Sequence, residues 1–172
     1  MIFAHAPAGY LLSRFVRPRR GPAWAFMLGG VTPDFDVPYF ALFGPPVATH
    51  HYYSPLHWPL TWLALGVALL VLAKRAGPAA QLTLRALLAG IALHLCLDTV
   101  TWNIYWAAPF DFTPLKLTDP TQLARAWPWN FLTHWTMLLE AGICAAAAWM
   151  FASERKGSAG SVSARSRAVA SP

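Results

Sequence analysis

The stretch LTLRALLAGIALHLCLDTVTWNIYW, residues 82 to 106, decides the fold class of this chain. As a helix it is long enough to cross a hydrocarbon core of about 30 Å. Two of its few polar residues, His94 and Asp98, lie well inside the apolar length. A charged group at that depth costs about 3 kcal/mol and needs a partner within the protein. The stretch therefore predicts a membrane span with polar residues that serve a function.

The whole chain has a composition suited to lipid. Of its 172 residues, 56% are hydrophobic and only 12% are charged, and other apolar stretches lie at residues 2–16, 23–43, 56–73 and 129–152. The second of these stretches is broken by Pro33, Asp34, Asp36 and Pro38. We predict an all-α integral membrane bundle of about four or five hydrophobic helices over residues 1–152. From residue 153 the chain turns to Ser, Ala, Gly and Arg, which predicts a disordered basic tail over residues 153–172.

The distribution of charge predicts the orientation and the partners. Lys and Arg concentrate at residues 14–20, at 74–75 and in the tail, whereas the loops at 44–56 and 107–128 carry no net charge. Because basic loops stay in the cytoplasm, we predict a multi-pass protein of a bacterial cytoplasmic (inner) membrane with both termini inside. The lipid bilayer is then the main partner. The net charge of +6 does not indicate nucleic-acid binding, since the basic residues form no stripe among exposed aromatics.

Four groups of polar residues contain the side chains that bind metals. His94 and Asp98 are four residues apart and share one helix face. Asp34 and Asp36 lie at a break in a span, and a broken helix inside a bundle lines a cavity. The other two groups consist of histidines, namely His5 alone and the loop residues His50, His51 and His57. Imidazoles and carboxylates together suit zinc, manganese or iron, so we predict a divalent metal site.

Each group also has a structural interpretation. An aspartate at a kink can cap a helix, and His5 by itself fits an ordinary core position. His134 and Glu140 in the last stretch fit either interpretation equally. A metal transporter would use the same residues for permeation, and a non-catalytic scaffold would bond them across helices. A permeation path would need polar groups at the inner face, where the sequence has Arg and Lys, which repel cations.

Four segments resemble a known family in their order and gaps. They read AHAPAGYL (4–11), GGVTPDFD (29–36), HHYYSPLHWPL (50–60) and ALHLCLDTVTWNIYWAAPF (92–110). The chain resembles the YdjM-like family of predicted membrane-bound metal-dependent hydrolases over residues 1–112, and WNFLTHWTMLLE (129–140) is similar to the closing helix of one branch. The commoner family loop has two histidines five apart around Arg-Gly, whereas His51 and His57 are six apart without it. Both His50 and His51 therefore stay candidates for the loop ligand.

The resemblance implies a helical membrane enzyme with a site distantly similar to that of zinc-dependent phospholipase C. We therefore expect a metal-dependent hydrolase, with zinc as the first choice of metal. Its substrate would be a phosphoester or lipid-linked molecule at the outer face of the membrane. The expected ligands are Asp34, Asp36, His51, His57, His94 and Asp98, with His5 and His50 as further candidates.

Overall fold

The computed structural model describes residues 3–16, 21–43, 53–119 and 129–169, with side chains in the last range to residue 156. The described ranges contain seven α-helices, which are α1 (His5–Phe15), α2 (Ala23–Val31), α3 (Val37–Phe43), α4 (Pro59–Ala76), α5 (Pro78–Thr101), α6 (Trp129–Leu132) and α7 (Thr136–Val169). Two short 3-10 helices lie at Thr32–Asp36 and Pro55–His57. No regular strand occurs in these ranges, which confirms the predicted all-α bundle.

Three helices of the described part are long and apolar enough to cross a membrane. They are Pro59–Ala76, Pro78–Thr101 and the Thr136–Lys156 part of α7. The 11 residues of α1 reach only about 16 Å, so this helix packs within the bundle without spanning a core of about 30 Å. The second predicted span is broken at Thr32–Asp36, at the place where Pro33 interrupts the apolar run.

The contact between α2 and α5 holds the centre of the bundle. A Cβ on Gly29 would collide with the carbonyl oxygen of Leu87, and one on Gly90 would collide with that of Phe26. The two backbones therefore approach as closely as glycine allows. Phe26 and Ala86 are buried beside this contact. The contact fixes the height of α5 relative to the 3-10 helix that follows α2.

The helices α4 and α5 form an antiparallel hairpin. Gly77 joins them with a φ of 96°, a value that favours glycine, and Pro78 starts α5 at a position where proline suits a helix. His57, just before α4, therefore lies at the same end of the hairpin as His94 and Asp98 in the last turns of α5. Lys74 and Arg75 lie at the opposite end.

The final apolar stretch differs from its predicted form at both ends. Residues 133–135 separate α6 from α7, and the His134 Nδ1 lies 2.9 Å from the Thr136 hydroxyl there. Such local side-chain bonds compete with helix bonds, which explains the interruption. At the other end the helical backbone continues to Val169, where composition predicts a disordered tail. Ala, Arg and Ser can extend a helix that has already formed. The domain boundary at residue 152 stays a prediction.

Candidate metal centre

Four side chains from three separate elements meet near the end of α5. Asp34 comes from the first 3-10 helix, His57 from the second, and His94 and Asp98 from α5. One potential ligand atom from each of the four lies within 4.8 Å of all the others. We call this group the His/Asp cluster. His57, His94 and Asp98 are at most 1% exposed, whereas Asp34 is 32% exposed, so the cluster opens on the side of Asp34.

Four of the separations within the His/Asp cluster match those around a small divalent cation. The Nε2 atoms of His57 and His94 are 3.4 Å apart, and the Asp34 Oδ1 lies 3.5 Å from the first and 3.6 Å from the second. The Asp98 Oδ2 is 3.3 Å from the His94 Nε2. Ligands bound at about 2.1 Å with tetrahedral angles are about 3.4 Å from one another. The donors therefore surround a space of the right size for such an ion.

A backbone carbonyl sets the tautomer of His94. Its Nδ1 lies 2.7 Å from the carbonyl oxygen of Gly30, an atom that can only accept a hydrogen bond. The proton of the neutral ring is therefore on Nδ1, and the lone pair of Nε2 points into the His/Asp cluster. This carbonyl contact is a common way to orient a metal-binding histidine.

His57 is held by its own turn, and its ring faces Asp36. The Ser54 hydroxyl accepts a hydrogen bond from the Leu56 amide at 3.3 Å, and the Ser54 carbonyl accepts one from the His57 amide at 2.8 Å. The Asp36 Oδ2 lies 3.8 Å from the His57 Nδ1 and favours a proton there. Residues two apart in a 3-10 helix point in different directions, so Asp34 and Asp36 contact opposite nitrogens of one imidazole.

His5 contacts the His/Asp cluster through two of its members. Its Nε2 is 3.1 Å from the Asp98 Oδ1, and its ring stacks on that of His94 with centroids 3.8 Å apart. Asp98 thus has one oxygen towards His5 and the other towards His94. The structure places His5 and Asp36 around the four clustered residues, in contact with them from outside. His50 and His51 lie outside the described residues.

The chemistry of the donors also fits a divalent cation. With both imidazoles neutral, as metal ligands must be, the two carboxylates give this group a net charge of −2, and most of the group is buried. Buried carboxylates require an opposite charge, because desolvation makes isolated ions costly. A divalent cation would neutralise both. Oxygen and imidazole donors together suit zinc, manganese or iron.

Comparison with family models agrees with this architecture. The model described as YdjM inner membrane protein matches residues 1–165. The chain belongs to this family. The match confirms the resemblance seen in the sequence, and together with the three candidate spans it supports a membrane location. Comparisons with curated proteins and with solved structures found no match.

Two polar residues of this YdjM family member lie away from the His/Asp cluster. Glu140 is buried in α7, and its Oε2 accepts a hydrogen bond from the Phe3 amide at 2.6 Å. His134 contacts Thr136, two positions along the chain. Glu140 thus ties the segment before α1 to α7, and the structure favours the structural interpretation for both residues.

Sequence reasoning missed two residues that position the ligands. Gly30 supplies the carbonyl that orients His94, and a Cβ at this position would collide with the carbonyl oxygen of His5. Ser54 caps the turn that carries His57. The Gly29-Gly30 pair just before Pro33 was a signal for close packing. The hydrogen bond from His94 has no such signal, because 64 residues separate the two partners.

Proposed function

We propose that this YdjM family member is a membrane-bound, metal-dependent hydrolase. Its substrate would be a phosphoester or lipid-linked molecule at the outer face of the cytoplasmic membrane. One observation carries the proposal: the Nε2 atoms of His57 and His94 and the Oδ1 of Asp34 lie 3.4 to 3.6 Å apart around one point. Three acceptor atoms at these distances favour a cation between them.

The residues divide into ligands and residues that orient ligands. Asp34, His57 and His94 would hold the cation, with zinc as the first choice, and Asp98 would be the fourth ligand. Asp36 orients the ring of His57, and His5 orients Asp98. A bound cation would supply Lewis-acid chemistry, which polarises a phosphoester and eases the loss of a proton from water.

The location of the His/Asp cluster supports an extracytoplasmic substrate. His94 is about 10 Å from the end of α5 at Thr101, so the cluster lies under one surface of the bundle. Lys74 and Arg75 mark the other surface, and basic residues favour the cytoplasmic side. Arg14 lies on that side as well, paired at 2.8 Å with Glu154 near the end of the apolar part of α7. In this orientation the Glu154 end of α7 faces the cytoplasm, whereas the His5 end of α1 lies at the depth of the His/Asp cluster.

The packing below the cluster argues against a transport role. A cation that left the cluster along α5 towards the basic surface would meet the contact between Gly29 and Gly90. There the two helix backbones are already as close as glycine permits. A scaffold role predicts that the polar residues bond one another without metal, and metal analysis tests it directly.

Elemental analysis of detergent-purified protein tests the metal site. Wild type is expected to carry a stoichiometric divalent metal, and Asp34→Ala and His94→Ala are expected to lose it. His134→Ala is the matched control and should retain it, because His134 contacts Thr136 outside the His/Asp cluster. Unchanged metal in both cluster variants would overturn the site.

A kinetic assay then tests the reaction. Hydrolysis of bis(p-nitrophenyl) phosphate by wild type and His134→Ala, together with its loss in Asp34→Ala and His94→Ala, would support the proposed hydrolase. Stoichiometric metal without hydrolysis of this ester or of phosphatidylglycerol would reject the hydrolase and leave a metal-binding membrane protein.

A further inference from the structure

An apolar groove of about 610 Å³ runs along the surface between α4 and α5. Leu60, Leu63 and Val67 form one wall, and Leu88, Ile91 and Leu95 form the other. No charged side chain lines it. The volume is typical of small-molecule sites, which cover roughly 300 to 1,000 Å³.

The surroundings of the groove decide what can occupy it. Both walls belong to helices that are long and apolar enough to cross the membrane, so the groove faces the hydrocarbon of the bilayer. From Pro59 to Leu70 it follows α4 for about 16 Å, roughly the hydrocarbon depth of one leaflet. Gly66 is buried within the groove, where a Cβ would come within 3.1 Å of Leu88. The shape and chemistry fit one acyl chain of a lipid.

Two tryptophans connect the groove with the His/Asp cluster. Trp62 lines the groove, and its Nε1 donates to the carbonyl of Leu56 at 2.7 Å, the residue before His57. Trp106 also lines it, and its Nε1 donates to the hydroxyl of Thr99 at 3.1 Å, the residue after Asp98. Both rings therefore hold the outer end of the groove against the chain segments that carry cluster residues.

We propose that this groove binds an acyl chain of the lipid phosphoester whose headgroup enters the His/Asp cluster. The proposal rests on the proposed hydrolase function and narrows its substrate from phosphoesters in general to membrane lipids. A chain in the groove would fix the depth of the lipid, so that its phosphoester would lie at the His/Asp cluster, below the end of α5. Hydrolysis adds water across one P–O bond and yields an alcohol and a phosphate product.

A matched pair of substitutions isolates the groove. Ala92 is exposed and lines the groove, so Ala92→Trp would fill it without disturbing a buried contact. Ala68 is also exposed but does not line the groove. Ala92 lies nine residues before Thr101, the outer end of α5. Ala68 lies nine residues after Pro59, the outer end of α4. Ala68→Trp therefore presents the same ring to the bilayer at the same depth.

Photo-crosslinking tests occupancy without relying on turnover. The protein would be reconstituted in vesicles of phosphatidylethanolamine and phosphatidylglycerol that contain phosphatidylglycerol with a diazirine near the end of one acyl chain. Labelled peptides should concentrate on the groove residues of α4 and α5, and Ala92→Trp should reduce this label several-fold while Ala68→Trp does not. Uniform labelling of the lipid-facing surface, or no effect of Ala92→Trp, would overturn the groove as a binding site.

A kinetic comparison then tests whether the bound lipid is the substrate. We expect Ala92→Trp to lower kcat/KM for long-chain phosphatidylglycerol by about tenfold or more relative to bis(p-nitrophenyl) phosphate. Ala68→Trp should leave this ratio unchanged. An unchanged ratio in Ala92→Trp would reject the groove as the acyl-chain site of the substrate while the hydrolase stands. Selective labelling of the groove without hydrolysis of either ester would reject the hydrolase, and the substrate assignment with it.

Discussion

Two regions of this chain look alike in sequence and differ in structure. His94 and Asp98 in α5, and His134 and Glu140 at the start of the last apolar stretch, are both pairs of titratable residues in apolar surroundings. The first pair meets Asp34 and His57 from two other elements. In the second pair, His134 contacts Thr136 and Glu140 accepts a bond from the Phe3 amide.

The difference shows what turns a polar residue in a span into a candidate site. Burial in apolar surroundings is costly for an ionisable group, so His94, Asp98 and Glu140 need partners. A backbone amide satisfies Glu140, and this contact uses the carboxylate for structure. Around His94, the partners are additional acceptors, and a group of acceptors favours a cation.

Metal removal should have the largest effect on stability. This effect should depend on the residues of the His/Asp cluster and be independent of His134. A ligand that binds only the folded state stabilises it by about 2.7 kcal/mol when its concentration is 100 times Kd. A chelator is therefore expected to lower the thermal unfolding midpoint of wild type and of His134→Ala in detergent. His57→Ala should start at the lower midpoint and show no further shift. A chelator effect of equal size in all three proteins would break the comparison.

Gly30→Ala tests whether ligand orientation depends on close packing. The added Cβ would collide with the His5 carbonyl oxygen and displace either His5 or the carbonyl that orients His94. We expect metal affinity to fall by about 10 to 100-fold, as for other losses of groups that orient ligands. Gly142→Ala in α7 is the control, because a Cβ there meets nothing within 4 Å. Titration of both proteins with zinc against a competing chelator measures the effect, and equal affinities would refute it.

Glu140→Ala should affect stability and leave the metal in place. The substitution removes the acceptor of the Phe3 amide, and a hydrogen bond to a charged group contributes about 1.5 to 3 kcal/mol. Thermal unfolding in detergent should report this loss, while elemental analysis should find the wild-type metal content. A loss of metal would show that Glu140 supports the His/Asp cluster and would remove the distinction between the two regions.

Asp111 lies outside the spans and provides a comparison with the carboxylates of Asp98 and Glu140. A substitution beside it is expected to have the smallest effect on the protein. The amide and hydroxyl of Thr113 both donate to its Oδ1 at 2.8 Å, and these bonds lower the pKa of Asp111. Because the pKa is lowered in the folded state, the stabilisation is present above the ordinary value and is lost as pH falls through the lowered one. Thr113→Ala should raise the pKa of Asp111 in an NMR titration. Identical titration midpoints would contradict the assigned cause.

Most of the fold follows from patterns that are local in the chain. Apolar length predicts α4 and α5, and Pro33 predicts the break after α2. Helix ends are less well determined, because Pro78 begins α5 four residues before the apolar stretch that starts at Leu82. The start of α7 at Thr136 depends on a side-chain contact of His134, which apolar content does not reveal.

The candidate site was predictable only in part. The spacing of His94 and Asp98 places them on one helix face, and both belong to the His/Asp cluster. The sequence predicted Asp34 and Asp36 equally as metal ligands. The 3-10 helix directs Asp34 into the cluster and Asp36 to the far side of His57. His5 was a further candidate ligand that by itself also fitted a core position, and in the structure it contacts Asp98 and stacks on His94.

The sequence by itself determined that this is a helical membrane protein whose apolar segments contain imidazoles and carboxylates, because length and hydropathy are properties of contiguous residues. The tertiary structure decided which of those side chains meet. That choice depends on the approach of α2 to α5 at Gly29 and Gly90, which brings Asp34 close to His94 across 60 residues of chain. Local periodicity carries no information about such distances, since they are set by backbone packing between helices.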